Sequence, residues 1–285
     1  MKKILFLVVL YKTHPEASST IISLSEKIFE KYGIEPSFAI WDNSLDGYGE
    51  HTLKHLPGPV KYYHYGVNEK LSVAYNRIVF DSDDVDWFVF LDDDSLIDDE
   101  YLSSLPEFFS SNTYIAVPKI SFNDTVISPG QIRSIKGKRL PGYSLLGGVM
   151  GSKNIVAMMS GTVVSRDVFV AGLKFDERLS FYGVDTRFFI DYSKRFSQLF
   201  LLSATMVHHS ALRDNLMPVN EQVVRHKKLA EAWSIIFDDV KCYQVKLFFY
   251  IIYYALKLSV VRRNISFLRV GLSIFHLFKT KAKSS

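Results

Sequence analysis

The sequence has little cysteine, and it has no acidic residue near its carboxyl end. Cys242 is the only cysteine among 285 residues, so neither an intrachain disulfide nor a cysteine-rich metal site can form. This composition fits a reducing compartment. The sequence also lacks a Walker-type phosphate loop and any Ser/His/Asp nucleophile motif. A chain of this length can bury a substantial core, as one α/β domain or as one domain with an appendage.

The charges are unevenly distributed along the chain. Residues 241–285 contain nine lysines and arginines and no acidic residue, whereas residues 1–240 contain 25 basic and 30 acidic residues. Long apolar and aromatic runs at 245–261 and 267–278 separate the cations of this tail. This pattern favours an amphipathic helix on an anionic membrane surface over a nucleic-acid-binding surface. A helix packed on the catalytic domain, or a homodimer interface, remains an alternative.

The first eleven residues, MKKILFLVVLY, resemble a signal peptide in having two lysines before an apolar run. The run is short, and the Lys-Thr-His-Pro that follows offers no small-residue cleavage site. A buried parallel strand is therefore the better interpretation.

Short apolar runs alternate with helical patterns in the first hundred residues. This alternation predicts a doubly wound, mostly parallel sheet. Further strands are predicted at 37–41, 60–65, 87–91, 114–118, 158–165 and 197–204, and helices at 15–32, from 66, at 101–111 and from 180. Residues 121–156 have weak periodicity, which predicts a long loop over the site.

The most informative stretch is Trp87-Phe-Val-Phe-Leu-Asp-Asp-Asp-Ser95. Five apolar residues predict a buried central strand, which ends directly in Asp92, Asp93 and Asp94. Ligands of open α/β sheets bind at the carboxyl ends of strands. Because three adjacent carboxylates repel one another, we expect a hard divalent cation that shares its coordination with phosphate oxygens. A solvated acidic turn is the alternative.

Several motifs together resemble the inverting nucleotide-sugar glycosyltransferases of family 2. The motifs, in order, are Val8-Val-Leu-Tyr-Lys-Thr13, Trp41-Asp-Asn-Ser44, Gly66-x-Asn68, Ala74-Tyr-Asn-Arg77, Leu91-Asp-Asp-Asp94, Ser160-Gly161 and Gly183-Val-Asp185. The similarity is greatest to bacterial rhamnosyltransferase-like enzymes of surface polysaccharide synthesis. It implies a GT-A catalytic domain at 1–220, followed by a C-terminal amphipathic helical region at 221–285.

The resemblance also implies roles for individual residues. Asp185 matches the general base, although Val184 stands where the family usually has a second carboxylate. The other implied roles are donor or nucleotide binding by Thr13, Asp42, Asn76, Arg77, Asp92 and Asp93, metal binding by Asp92, Asp94 and His208 or His209, and acceptor binding by Ser160, Gly161 and Thr162. For some of these residues a structural role is the alternative: an Asx turn at Asp42, a solvated helix at Arg77, a strand bulge at Gly161 and a helix N-terminal carboxylate at Asp185.

The function that the resemblance implies is transfer of a sugar from a nucleoside diphosphate donor to a hydroxyl of a glycan or lipid-linked glycan, with Mg²⁺ or Mn²⁺. The expected donor is dTDP-rhamnose, and UDP-galactofuranose or another UDP-hexose is an alternative. Such a protein would work in the cytoplasm, peripherally on the inner face of the cell membrane, in the synthesis of O-antigen, capsule or a related polysaccharide. A metal-dependent nucleotidyltransferase and a non-enzymatic membrane scaffold are the other hypotheses; the turn after the first strand lacks the glycine-rich loop that the former would need.

Overall fold

We describe the fold from a computed structural model, in which residues 1–207, 218–239 and 243–273 are described. The predicted residues His208 and His209 lie outside these ranges. The strands are β1 (Lys2–Leu10), β2 (Ile34–Asp42), β3 (Val60–His64), β4 (Trp87–Asp92), β5 (Ile115–Phe122), β6 (Thr125–Ser128), β7 (Gly130–Arg133), β8 (Lys136–Arg139), β9 (Gly148–Gly151), β10 (Ile155–Val156), β11 (Thr162–Ser165) and β12 (Gln198–Val207).

A large mixed sheet forms the centre of the molecule. Its strand order is β3-β2-β1-β4-β11-β5-β12-β9, and β6 pairs with β5. Four neighbouring strands, β3, β2, β1 and β4, are parallel, as the sequence predicts. The prediction rests on short apolar runs that alternate with helices. The strand β11 is antiparallel to both of its neighbours, which agrees with a sheet that is mostly, and not wholly, parallel.

Eight α-helices are described: α1 (Ser19–Ser25), α2 (Leu71–Phe80), α3 (Asp99–Phe109), α4 (Arg166–Val170), α5 (Val184–Ser193), α6 (Val219–Ile236), α7 (Tyr243–Val261) and α8 (Ser266–Ser273). The single helix predicted at 15–32 is wrong in extent. Two 3-10 turns, at Pro15–Ala17 and Phe29–Tyr32, flank the short α1.

The stretch predicted as a long loop is largely β structure. The strands β7, β8 and β10 form a second, three-stranded antiparallel sheet, and β9 adds to the edge of the central sheet. These strands have only two to four residues, and all but β10 contain glycine, so they are too short and irregular to show the apolar alternation from which strands are predicted. Pairing with neighbouring strands, rather than local preference, defines them.

Hydrophobic cores cover the two faces of the central sheet. The core on one face packs α1 and α3 against β1, β2 and β4. The core on the other face contains residues of α2 and α5 together with residues of α6 and α7, such as Ile236, Leu247 and Ile251. The described C-terminal helices therefore complete the same core as the strands that carry the acidic residues.

The described helices of the C-terminal region include none that is both long and apolar enough to cross a bilayer. The helix α7 buries Tyr243, Leu247, Ile251 and Ala255 at intervals of four residues. This face packs on the rest of the protein, which agrees with the alternative of a helix packed on the catalytic domain. The opposite face of the same helix is exposed.

A buried histidine lies between the C-terminal helices. His226 of α6 is only 2% exposed and packs beside the rings of Tyr254 and Phe267. Neither of its ring nitrogens has a hydrogen-bond partner among the described residues. Burial lowers the pKa of His226 from 6.5 to about 4, because the charged imidazolium would lose its hydration.

This burial predicts acid sensitivity of the fold. The unfolded chain binds the His226 proton below about pH 6.5, whereas the folded chain binds it only near pH 4, so stability falls as the pH drops through this interval. We expect the protein to lose on the order of 3 kcal/mol of unfolding free energy from this group, and His226→Phe to remove the loss. Urea denaturation of both proteins at pH 7.5 and pH 4.5 measures the difference. An equal pH dependence in both proteins would contradict this origin of the sensitivity.

Candidate active site

The parallel strands bring several predicted residues to one edge of the sheet. In the strand register Asp42 of β2 lies opposite Leu10 of β1, and Asp92 of β4 lies opposite Val9, the residue that precedes Leu10. The turns that follow these strands are joined, because the backbone N–H of Lys12 donates to Ser44 Oγ over 3.0 Å. Thr13, in the first of these turns, is half-buried. This edge is where ligands of such sheets bind.

The end of β4 is fixed by hydrogen bonds from α1. Ser18 Oγ donates to the carbonyl of Asp93 over 2.7 Å, and Thr20 Oγ1 donates to the carbonyl of Asp92 over 2.6 Å. The backbone N–H of Asp92 donates to Ser95 Oγ over 3.2 Å. The strand therefore ends in a rigid position, and the side chains of Asp92, Asp93 and Asp94 stay partly exposed.

The carboxyl group of Asp92 lies in a strongly negative environment. Burial, and then the carboxylates of Asp94, Asp93 and Asp185, raise the pKa of Asp92 to about 7, against the effect of the Ser160 hydroxyl. In the described part of the chain, no lysine or arginine forms an ion pair with these carboxylates. The site thus holds negative charge that a cation would stabilise.

Asp185 comes to this edge from a different element. It lies in the first turn of α5, and its Oδ1 accepts the backbone N–H of Thr186 over 2.7 Å. Burial raises the pKa of Asp185 to about 6, against the effect of this hydrogen bond. A carboxylate in the first turn of a helix fits the structural alternative, and the charge of Asp185 also acts on Asp92.

An aromatic cluster packs β4, which carries Asp92, against α5, which carries Asp185. Phe90 of β4 packs against Phe175 at 5.3 Å between ring centroids, and Phe175 stacks on Phe188 of α5 at 4.4 Å. Tyr75 of α2 packs on Phe90 at 4.8 Å and on Phe175 at 5.0 Å. Burial raises the pKa of Tyr75 well above its usual value, and the charges of Asp92 and Asp185 raise it further. Tyr75 therefore lies within the electrostatic reach of both carboxylates.

The segment before β11 lies beside Asp92. The antiparallel register pairs Thr162 with Phe90, two residues before Asp92. Ser160 Oγ lies 2.5 Å from Ser95 Oγ, and Gly161 has a left-handed backbone with φ of 74°. Thr162 is fully buried, and its hydroxyl donates to the carbonyl of Met158 over 2.8 Å. Ser160 and Gly161 are buried as well, and of the three residues only Ser160 has a hydroxyl that acts on Asp92. Contact of this segment with an acceptor stays a prediction.

Asp42 is buried and held by three hydrogen bonds. Its Oδ1 accepts the N–H of Ser44 over 2.9 Å, which is the predicted Asx turn, and its Oδ2 accepts the N–H of Tyr48 and the hydroxyl of Tyr62. Burial opposes ionisation of this group, but these hydrogen bonds outweigh it and leave the pKa of Asp42 below its usual value. The carboxylate stays charged, and contact with a nucleotide base stays a prediction.

Two predicted donor residues have structural partners in this fold. The side-chain amide of Asn76 bonds to both the N–H and the carbonyl of Phe175, each over 2.9 Å. Arg77 is exposed and pairs with Asp81, which Lys61 at the start of β3 also approaches. This places Arg77 toward the opposite edge of the sheet from Asp92. Both side chains are engaged with protein groups, and their contact with a nucleotide stays a prediction.

Sequence reasoning missed Tyr75, Ser95 and Tyr62. Tyr75 falls in a helical apolar stripe and therefore reads as an ordinary core residue. Ser95 follows the acidic run, and Tyr62 lies within β3. Only the folded chain shows that the Tyr62 hydroxyl bonds to Asp42, that Ser95 bonds to the backbone of Asp92, and that the charges of Asp92 and Asp185 act on Tyr75.

The described carboxylates could form part of a metal site. Asp92 and Asp94 supply the hard oxygen ligands that Mg²⁺ and Mn²⁺ prefer, and their negative charges lack a cationic partner in the described ranges. No three His, Cys, Asp or Glu side chains of residues 1–207, 218–239 and 243–273 lie close enough together to hold a metal ion. A cation here would therefore need additional ligands, such as phosphate oxygens of a donor.

One family model and several solved structures match this chain. The model of the family described as Glycosyl transferase family 2 matches residues 38–209. Among curated protein sequences there is no significant match. Similar solved structures include S. aureus TarS, with 13% identity and a TM-score of 0.51 over 83% of this chain and 44% of that one.

Two further solved structures are similar. TarS residues 1–349 have 14% identity and a TM-score of 0.50 over 85% of this chain and 73% of that one. GalNAc-T7, solved with UDP, GalNAc and Mn²⁺, has 15% identity and a TM-score of 0.54 over 75% of this chain and 45% of that one. The chain thus spans less than half the length of the full TarS and GalNAc-T7 chains. At these identities the similarity shows the GT-A-like fold, whereas the family match extends over more than half of the sequence: the chain belongs to glycosyltransferase family 2.

Proposed function

We propose that the protein transfers one sugar from a nucleoside diphosphate sugar to a hydroxyl group of a glycan or lipid-linked glycan, with inversion of the anomeric centre. The observation that carries this proposal is that the carboxylates of Asp92 and Asp185 lie near enough for the charge of one to act on the other. The two carboxylates come from different elements, share one edge of the sheet and remain partly exposed. The family membership of the chain supports the same reaction.

In this reaction Asp185 is the general base. A pKa of about 6 leaves Asp185 mostly ionised at neutral pH, yet basic enough to take a proton from a sugar hydroxyl as that hydroxyl attacks. The acceptor oxygen forms a bond to the anomeric carbon, and the bond from that carbon to the diphosphate oxygen breaks. The nucleoside diphosphate leaves with the bonding electrons, and the acceptor proton stays on Asp185.

Asp92 and Asp94 would hold the Mg²⁺ or Mn²⁺ that the donor brings to the site. Such a cation would offset the negative charge that develops on the departing diphosphate. The other proposed contacts are Thr13, Asp42 and Asp93 with the nucleotide part of the donor, and Ser160 and Gly161 with the acceptor. A side chain at Gly161 would collide with Met206 and Pro118, so packing requires glycine here, and the proposed acceptor contact at this position would be made through the backbone.

A thermal-shift panel tests this function. The panel contains dTDP-rhamnose, UDP-galactofuranose, UDP-glucose, UDP-GlcNAc and GDP-mannose, each with Mg²⁺ or Mn²⁺, and we expect the strongest shift with dTDP-rhamnose. A donor at about 100 times its Kd should stabilise the protein by roughly 3 kcal/mol, which is several degrees in Tm. EDTA should cancel the shift. A shift that persists in EDTA would remove the metal from the proposal, and no shift with any donor would contradict nucleotide-sugar binding.

A further inference from the structure

The helix α7 is apolar on two opposite faces. The buried face packs on the protein, as described above. The residues of the other face recur every three or four positions and are about half exposed or more: Val245, Phe249, Tyr253, Leu256 and Val260. We call this exposed stripe the α7 face. Exposure of such a row of large apolar side chains to water is energetically unfavourable, which indicates that this surface is an interaction site.

Cations border the α7 face on one side. Lys246 and Lys257 are exposed, and on a helix of 3.6 residues per turn they lie along the same flank as Tyr250. The Nζ of Lys136, in β8, lies 5.8 Å from the ring centroid of Tyr250. This contact places the β7–β8 hairpin beside that flank of α7.

The hairpin contributes its own positive charge. All four residues of β8, Lys136 to Arg139, are exposed, and three of them are cationic. The sequence contains no acidic residue between Asp124 and Asp167, and none after residue 240. Two segments far apart in sequence therefore present cations around one apolar stripe.

We propose that the α7 face and the β7–β8 hairpin together form a docking surface for an anionic lipid bilayer. An apolar stripe with aromatic residues suits the boundary between headgroups and acyl chains, and the bordering cations suit anionic headgroups. A second copy of the chain is a poorer partner, because twofold pairing of this surface would bring two cation-rich, acid-free segments together. This surface does not depend on the identity of the donor or on the proposed transfer.

Vesicle co-sedimentation of the full chain tests the proposal. We expect the protein to bind vesicles of phosphatidylcholine with about one third phosphatidylglycerol at least tenfold more tightly than vesicles of phosphatidylcholine alone. Phe249→Gln with Val260→Gln should weaken binding to the anionic vesicles roughly tenfold, since it removes apolar side chains that enter the interface. Lys136→Glu with Lys138→Glu should weaken it to a similar degree and reduce its salt dependence.

The matched control carries Phe80→Gln and Lys2→Glu, which alter an exposed aromatic residue and an exposed lysine outside this surface. We expect the control to bind as the unchanged protein does. Because all substituted side chains are exposed, circular dichroism and Tm should stay unchanged in every variant. Equal binding to both kinds of vesicle, or equal loss of binding in the control, would overturn the proposal. A dimer in sedimentation that the Phe249 and Val260 changes dissociate, without vesicle binding, would assign the face to self-association instead.

Discussion

Asp185→Asn is expected to lower kcat for sugar transfer by about a thousandfold while the affinity for the donor stays within about twofold. Asparagine has the shape of aspartate and can still accept the N–H of Thr186, but its neutral amide cannot take a proton from the acceptor. Burial raises the pKa of Asp185, so the charged form lowers stability at neutral pH, and the variant should melt at the same or a higher temperature. Release of nucleoside diphosphate measures kcat, and calorimetry measures donor affinity.

Asp191→Asn is the matched control on the same helix. Asp191 lies further along α5, and its carboxylate pairs with Arg187 and Lys194, each at 2.7 Å. We expect this variant to retain kcat within a few fold, because its carboxylate is engaged with cations on the helix surface. If Asp191→Asn lost transfer and Asp185→Asn retained it, the assignment of the base would be reversed. If Asp185→Asn lost donor affinity instead of kcat, Asp185 would be a binding residue.

Gly183→Ala is expected to lower both stability and transfer, because Gly183 begins the helix that carries Asp185. Its φ of 80° is unfavourable for alanine, and an added Cβ would lie in close conflict with Cδ1 of the buried Ile236 and 3.0 Å from its Cγ1. Strain and overpacking together should cost on the order of 3 kcal/mol of unfolding free energy. Urea denaturation measures this cost, and kcat should fall because the start of α5 shifts.

A second substitution separates the two causes. Ile236→Val removes Cδ1, so Gly183→Ala combined with Ile236→Val should be less unstable than the sum of the two single variants, while the strain at φ of 80° remains. Gly137→Ala is the control, because a Cβ at that exposed hairpin position meets nothing within 4 Å. Strict additivity of the double variant would show that the contact with Ile236 contributes nothing. A loss of stability in Gly137→Ala of similar size would point to a general effect of the substitution.

Much of the fold could be predicted because its central strands are short apolar runs that end in polar residues. The strands that end at Leu10, Asp42, His64 and Asp92 are found within a few residues of the predicted positions, and their ends share one edge. The direction of β11 could not be predicted, because an apolar run does not encode whether its neighbours are parallel.

The candidate site was only partly predictable for a related reason. The acidic run after β4 is visible in the sequence, and Asp185 is visible as a carboxylate at a helix start. Asn76 bonds to Phe175, which is almost a hundred positions away in the sequence. The local helical pattern around Asn76 therefore could not predict this hydrogen bond. The aromatic packing that brings Tyr75 within the electrostatic reach of the two carboxylates is likewise a property of the folded chain alone.

The helices after residue 218 bear on how this protein can be handled in the laboratory. Arg187 of α5 bonds to Asp238 over 2.9 Å and to the carbonyl of Ile236 over 3.1 Å, while Ala230, Ile236 and Leu247 fill the core beneath α5. A fragment cut at residue 220 would expose that core to water and leave Arg187 without these partners. We expect such a fragment to aggregate during purification. Crystallisation trials should therefore keep the C-terminal helices and improve solubility by changing exposed side chains of α7 instead.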